Sequence, residues 1–342
     1  MSKSVEKFIQ DQLGKEIDSK QLISALKTGS MKVKDIAEKF QVPMKTVMDT
    51  IQTLTRDKVM FQYDGDEVSV REAPCEGGKT ALNHKMWQGD TIRIGFTSDN
   101  HLGSHFERLD VLNALYDIFE SEEIPLVLNG GNWIDGEARF NKNEIHTHGF
   151  GRQIQYAVDN FPFRKGIETW FVSGDDHEGW YNQREGINSG DYFQMIRERD
   201  GKHDLKHLGY VEADVNLNGD EFEYPMWLRL MHAGGGSSYA HSYSVQKIIE
   251  SFQGGEKPHI LMVGHYHKMS YNYVRGVYAV QMGTTMDQSI FMRKKKLEAH
   301  VGGGIIEIRR APDGIVNRVR PEFITFFDKK FYVGKDKYWK GL

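Results

Sequence analysis

The sequence predicts a mixed α/β protein, with a small helical N-terminal unit ahead of a larger domain whose strands end in polar turns. Three observations carry this. Apolar residues keep a helical spacing through most of residues 1–56. From residue 91 short apolar runs recur: IRIGFTS, PLVLNGG, TWFVSGD, WLRLMHA and HILMVGH. Each ends in a small-residue turn carrying Asp, Asn or His, and helical stretches such as 109–119 and 190–199 lie between them. A length of 342 residues suits about two domains.

In chain order, Val5, Phe8, Ile9 and Leu13 keep the spacing of a first helix. Leu22, Ile23 and Leu26 keep that of a second, after the N-cap pair Asp18-Ser19. VKDIAEKF, a break at Gln41-Val42-Pro43 and MKTVMDTIQTL read as two short helices joined by a tight turn. Alternating apolar residues on either side of Asp64-Gly65-Asp66 read as a β-hairpin. Residues 1–71 thus resemble a winged-helix domain. Its DNA-docking helix would run from Met44 to Arg56, with Lys45 and Arg56 as contacts. The alternative is a packing or protein-contact module. The region carries 12 Lys+Arg against 11 Asp+Glu, and phosphate binding needs clustered basic side chains. Residues 72–90 show no period, contain Pro74 and a Gly pair, and read as a linker.

Composition narrows the function. With 44 Lys+Arg against 48 Asp+Glu the net charge is -4, which excludes a globally basic nucleic-acid coat and leaves a local patch open. The single cysteine, Cys75, excludes an intrachain disulfide framework and a Cys-rich zinc site. The opening MSKSVEKFIQ has no apolar core, and no stretch approaches the ~20 apolar residues of a membrane span. The expectation is a cytoplasmic protein with no membrane partner. Of 14 histidines, 13 lie after residue 100, which is where chemistry is expected.

Five segments concentrate it: Asp99-Asn100-His101, Gly131-Asn132-Trp133-Ile134-Asp135, Gly174-Asp175-Asp176-His177-Glu178, His232, and Gly264-His265-Tyr266-His267. All follow apolar strand-like runs. Along an extended segment residues i and i+2 point the same way, so Asp99 with His101, and His265 with His267, are chelating pairs. Carboxylate oxygens with imidazole nitrogens suit Mn, Fe or Zn.

These five blocks, in this order over residues 99–267, resemble the calcineurin-like metallophosphoesterase family, whose pattern is DxH, GDxxD, GNH[DE], H and GHxH. The likeness extends over about residues 91–310. It implies a four-layer αββα sandwich with two mixed sheets, followed by a C-terminal tail at 311–342. It also implies two divalent metal ions, Mn2+ ahead of Fe, Zn or Mg. Asp99, His101 and His267 would hold one ion and Asp176, His232 and His265 the other. Asn132 would bridge them, and His177 would be the catalytic group beside the leaving oxygen. Two positions depart from the pattern. Asn132 stands where the family has a bridging Asp, and Asp176 where it has Asn. The exchange reads as compensated, because a carboxylate at 176 restores the negative charge around the ions. The alternatives are an introduced inactivating change at 132 and a natural loss of one metal.

Around this set, Asp135 is expected to orient a ligand, and Arg139 and Arg184 are candidate phosphate contacts, with surface ion pairs as their alternative. Gly234-Gly235-Gly236 would let backbone approach a ligand. His146 and His148 are read as loop or substrate-facing residues and not as ligands. Arg293, Lys294, Lys295 and Lys296 are candidate DNA contacts or an exposed face. The stretch FITFFDKKFYVGKDKYWKGL mixes aromatics with lysines and reads as a packing tail, with base stacking as the alternative.

The FTSDNHLGS block, with Arg108 and Asp110 after it, looks most like the DNA-repair nuclease branch of the family. That resemblance implies a phosphodiesterase or exonuclease acting on DNA in repair or end processing, with DNA, an ATPase and a second copy of the chain as candidate partners. The alternatives are a phosphomonoesterase or nucleotide phosphatase, and a metal-weakened DNA- or protein-binding module.

Overall fold

A computed structural model of the chain describes residues 17–27, 30–56, 61–64, 67–70, 78–82, 86–87, 89–219, 221–236, 238–253 and 256–326. The helix expected around Val5 to Leu13, the turn residues Gly65 and Asp66, Cys75 and the aromatic–lysine stretch after Phe326 lie outside these, as does the Arg56 side chain. The chain divides into two units, Met1–Cys75 and Glu76–Leu342. Among the described residues no helix is long and apolar enough to cross a membrane.

The first unit runs α1 (Ser19–Lys27), β1 (Met31–Lys32), α2 (Val33–Phe40), α3 (Met44–Arg56), β2 (Phe61–Asp64) and β3 (Glu67–Val70). Gln41 takes a left-handed conformation at φ 52 and turns its N–H back onto α2 carbonyls, which ends that helix. Pro43 then leads into α3, accepting the Val47 N–H at 3.3 Å. The strands form an antiparallel sheet in the order β1-β3-β2. Leu22, Leu26, Ile36, Val47, Ile51 and Val68 make the core, one apolar stripe per helix.

The second unit holds two six-stranded sheets. In spatial order the first is β15 (Val316–Thr325), β14 (Gly302–Arg310), β5 (Thr91–Thr97), β6 (Leu126–Asn129), β7 (Glu168–Ser173) and β8 (Leu205–Tyr210). Strands β5 to β8 are parallel, and β14 and β15 complete the edge antiparallel. The second sheet is β12 (Met269–Val274), β13 (Val277–Met282), β11 (Ile260–Gly264), β10 (Trp227–His232), β9 (Glu212–Asn216) and β4 (Gly78–Ala81).

Period-2 alternation sorts the strand residues between layers. Ile94, Phe96, Leu126, Leu128, Leu228, Leu230, Ile260 and Met262 fill the space between the sheets. Val127 and Phe171 face outward onto Leu115 and Phe119 of α4 (Leu109–Ser121), Ile154 of α5 (Phe150–Asn160) and Phe193 of α7 (Ser189–Arg199). Leu261 and Val263 face Val245 and Ile249 of α8 (Tyr243–Ser251). Strands buried on both faces read as the continuous apolar runs seen in the sequence. The result is the four-layer αββα arrangement that the resemblance implied. Helices α6 (Glu178–Glu185) and α9 (Ile290–Lys295) stand near the C-terminal ends of the central strands.

Two expected boundaries are corrected. Residues 78–82 and 86–87 are not linker: β4 pairs in parallel with β9, and Leu82 and Trp87 are buried in the inter-sheet core. The Arg310 guanidinium sits 4.2 Å over the Trp87 ring and donates to the Gly89 carbonyl. The apolar signal in GKTAL is too short to show a period. Nor does the tail begin at 311, because β15 pairs along β14 and buries Val319. Its alternation is masked by Arg318, Arg320 and Glu322 on the exposed edge strand.

Candidate metal centre

The loops that leave β5, β6, β7, β10 and β11 converge at one end of the sheets, where open α/β sheets place their sites. Backbone hydrogen bonds tie them together. Asp99 N–H donates to the Gly131 carbonyl (2.9 Å), His101 to Asn132 (2.8 Å) and His232 to Val211 (2.7 Å). Below them buried asparagines link the same loops: Asn129 Nδ2 donates to Asn100 Oδ1 (2.6 Å), and Asn100 Nδ2 to Thr285 Oγ1 (2.9 Å). Six of the eleven described non-glycine residues with positive φ belong to the sequence-predicted set: Asp99, His101, Asn132, His177, His265 and His267. Such conformations cost about 1–3 kcal/mol each and persist only where surrounding structure imposes them. Here the strand ends and the asparagine network impose them.

Two groups of ligand atoms result, each within 4.8 Å: Asp99 with His101 and His267, and Asp176 with His232 and His265. In the first, His101 Nε2 lies 3.1 Å from His267 Nε2, which is 3.4 Å from Asp99 Oδ1. In the second, His232 Nε2 lies 3.2 Å from Asp176 Oδ1, and His265 Nδ1 lies 3.4 Å from Asp176 Oδ2. A carbonyl only accepts, so the carbonyl contacts set the tautomers. His232 Nδ1 donates to Gly130 (2.7 Å) and His265 Nε2 to Gly235 (2.7 Å), so in the neutral rings His232 Nε2 and His265 Nδ1 carry the lone pairs. Those two atoms, Asp176 Oδ1 and Asn132 Oδ1 are buried without an aligned hydrogen-bond partner. Four buried orphans converging from separate loops are what a cation-binding site needs and what a packed core avoids. The donors present therefore fit divalent ions of the kind carboxylate and imidazole take.

Glycine sets how closely the groups approach. A methyl on Gly174 would lie 2.6 Å from Asn132 Oδ1 and 2.7 Å from His232 Cδ2, so both side chains face the same point. A methyl on Gly131 would lie 2.6 Å from His232 Nδ1.

The electrostatics follow from packing. Burial alone would raise the Asp176 carboxyl, but the imidazoles of His177, His232 and His265 outweigh it and hold it below the usual range. Burial opposes protonation of His232, yet Asp176 and Asp99 push it up to about 10, so without a cation its Nε2 carries a proton, and a cation held there would take that proton's place. His101 Nδ1 lies 2.8 Å from Asp135 Oδ1, and the other carboxylate oxygen, Asp135 Oδ2, accepts from Asn141 Nδ2 at 3.0 Å. Burial pushes the Asp135 carboxyl up and the His101 imidazole down, which disfavours the charge-separated form of that pair. His177 Nδ1 donates to the Asp135 carbonyl (2.6 Å), and burial lowers its pKa. His177 also packs edge-on against His101, ring centroids 4.3 Å apart.

His101, Asn132, Asp135, Asp176, His177, His265 and His267 line one cavity of 510 Å³, whose mouth includes Lys295. The structure thus brings together the ligand set expected from the sequence, with Asp135 behind it. Arg139 and Arg184 are not among the residues lining this cavity: they border a different hollow, and Arg184 donates to the Glu137 carbonyl (2.9 Å) and lies over the Tyr181 ring. Arg293, Lys294, Lys295 and Lys296 are all exposed at the end of α9. In the first unit Lys45 is exposed on α3 between Met44 and Met48, which are exposed as well.

Sequence reasoning gave Glu178, the last residue of the third segment, no role. Its buried carboxyl accepts from Asn132 N–H (2.9 Å) and Gly174 N–H (2.7 Å), clamping two of the loops. Its position directly after His177 was the available signal. His101 also groups with Asp135 and His177, and a further group away from the centre, His241, Glu298 and His300, is better explained by hydrogen bonding. His300 Nδ1 accepts from Met269 N–H (3.0 Å), which leaves the proton on Nε2, the nitrogen facing Glu298.

No family model and no curated protein matches the sequence. Solved structures similar to the chain include an archaeal phosphodiesterase, at 14% identity over 68% of this chain and 100% of that one, TM-score 0.36. They include the Vps29 of Entamoeba histolytica complexed with Zn2+, at 13% identity over 69% and 100%, TM-score 0.32. A putative 5'-nucleotidase from Staphylococcus aureus shares 10% identity over 73% and 57%, TM-score 0.40. Similarities this low assign no activity, and the chemistry rests on the geometry of the site itself.

Proposed function

We propose that this chain is a metal-dependent phosphodiesterase that cleaves DNA, with Asp99, His101 and His267 holding one divalent ion and Asp176, His232 and His265 the other. The observation that carries it is the pair of ligand groups meeting, with Asn132 Oδ1 and His177, at one cavity. Ions bound there would supply an acidified water and charge stabilisation of the phosphoryl oxygens. The chain's own groups do the rest. Carbonyls of Gly130 and Gly235 hold the protons of His232 and His265 away from the centre. Asn132 offers its buried carbonyl oxygen between the groups. His177, with Nδ1 committed to the Asp135 carbonyl, keeps Nε2 to take up a proton and pass it to the leaving oxygen.

The DNA reading is supported by the exposed cations at the end of α9, one of which reaches the cavity. It is supported as well by the helix–strand–helix–helix–hairpin order of the first unit, which we read as a winged helix. The test is hydrolysis of a labelled linear DNA with Mn2+ and with chelator, for the wild type and His177→Ala. Mn2+-dependent cleavage that falls at least about 100-fold in the variant is expected for a proton-transfer group. Turnover of an aryl phosphomonoester with none of DNA would overturn the diester reading. Binding of DNA without turnover of either would leave a binding module.

A further inference from the structure

A continuous series of ring contacts leads out of the metal centre. His101 meets His177 at 4.3 Å, and His177 stacks on Trp180 at 4.7 Å and 29°. Trp180 meets Phe140 edge-on at 5.4 Å, and Phe140 meets Phe291 at 5.5 Å and 34°. The last two come from distant parts of the chain, the loop after β6 and helix α9, yet both line the same cavity. They are also 57% and 41% exposed. Two large apolar rings left open beside a buried cluster of charged groups have no packing role at their free faces, and such surface marks a site that a ligand covers.

Helix α9 adds a cation in register. Ser289 caps it by accepting the Met292 N–H, and buried Met292 pins it. Phe291 and Lys295, four residues apart on one helical face, therefore both border the cavity. An aromatic face and an ammonium group one helical turn apart offer a surface for a flat ring and a partner for the phosphate attached to it.

We propose that Phe140 and Phe291 form a stacking ledge for a nucleobase of the substrate, with Lys295 holding a phosphate of the same strand. This rests on the phosphodiesterase reading of the cavity and names the part of the substrate that lies beyond the scissile bond. Stacking on apolar rings tolerates any base, so the ledge selects for the presence of a base and not for its identity.

The test is fluorescence anisotropy with a labelled oligothymidylate and an abasic deoxyribose-phosphate oligomer of equal length, in Ca2+. The wild type is expected to bind the oligothymidylate about tenfold more tightly, the size of one stacked base. Phe140→Leu and Phe291→Leu should each cut that ratio several-fold. Lys295→Gln should weaken both oligomers alike. Both leucine replacements fall on exposed side chains, and unchanged melting curves would verify folding. Equal wild-type binding of the two oligomers, no binding of either, or a ratio unmoved in both variants would overturn the ledge. So would displacement by a phosphotyrosine peptide but not by unlabelled oligothymidylate. Mn2+-dependent hydrolysis of methyl 4-nitrophenyl phosphate, a diester without a base, is read alongside. Its absence counts against the phosphodiesterase reading, while the binding ratio still decides the ledge.

Discussion

Gly174→Ala tests how the centre is assembled. The added methyl would stand 2.6 Å from Asn132 Oδ1, 2.7 Å from His232 Cδ2 and 3.0 Å from His232 Nε2, where ordinary contact begins at 3.4 Å. Asn132 would have to retreat by about 0.8 Å and the imidazole by about 0.4–0.7 Å to reach ordinary contact. The imidazole has little room to do so. Its Nδ1 is bonded to the Gly130 carbonyl at 2.7 Å, and Gly131 packs against its other face so closely that a methyl there would lie 2.6 Å from Nδ1. Overpacking of this kind costs about 1–3 kcal/mol of stability. Displaced ligands should lose about 10–100-fold in metal affinity, as when a ligand's supporting groups are removed. Calorimetric titration with Mn2+ reads the affinity, and urea unfolding in chelator reads the stability. Gly151→Ala is the control: it lies in α5 with nothing within 4 Å of the added methyl. It should leave metal binding unchanged and stabilise the helix by up to about 1 kcal/mol. Wild-type Mn2+ affinity in Gly174→Ala would refute the claim that the contact around this glycine positions His232 and Asn132.

Three further outcomes are expected. Saturating Mn2+ should raise the melting temperature, since about 100-fold excess over Kd adds about 2.7 kcal/mol, and His232→Ala should abolish most of that shift; a shift intact in the variant would remove His232 from the ligand set. Asn132→Asp puts a carboxylate among buried groups and should lower the melting temperature in chelator but raise it above wild type in Mn2+, because a buried charge is costly until a cation pairs with it; a drop under both conditions would mean that residue 132 does not face the ions. Arg197→Leu should cost about 3–5 kcal/mol in urea unfolding, because the fully buried guanidinium holds Asp204 at 2.7 and 3.0 Å and the carbonyls of Val158, Phe161 and Pro162; a loss below about 1 kcal/mol would show that those groups find other partners.

Much of the centre was legible because its chemistry is carried by residue type at strand ends. An apolar run followed by Asp-x-His or His-x-His states both where a strand stops and what it delivers. The segments that misled are those whose burial comes from distant partners. GKTAL looks like linker until β9 and the Arg310–Trp87 contact are in place. The β15 strand hides its alternation behind edge charges. Arg184 resembles a phosphate ligand by type, yet it lies outside the central cavity and donates to the Glu137 carbonyl.

Local sequence alone determined the mixed α/β class, the short helices and hairpin of the first unit, and the concentration of Asp, Asn and His at strand ends from which the candidate ligands Asp99, His101, Asn132, Asp176, His232, His265 and His267 come. These follow from periodicity and side-chain chemistry within a few residues. Tertiary structure alone decided which nitrogen of His232, His265 and His177 is committed to a carbonyl, since that depends on the carbonyls of Gly130, Gly235 and Asp135. It also decided that Glu178 clamps the loops of Asn132 and Gly174, and that Phe140 and Phe291 meet beside the centre. Contacts between residues far apart in the chain leave no period or spacing to read. They exist only once the sheets have stacked and brought those loops to the same end.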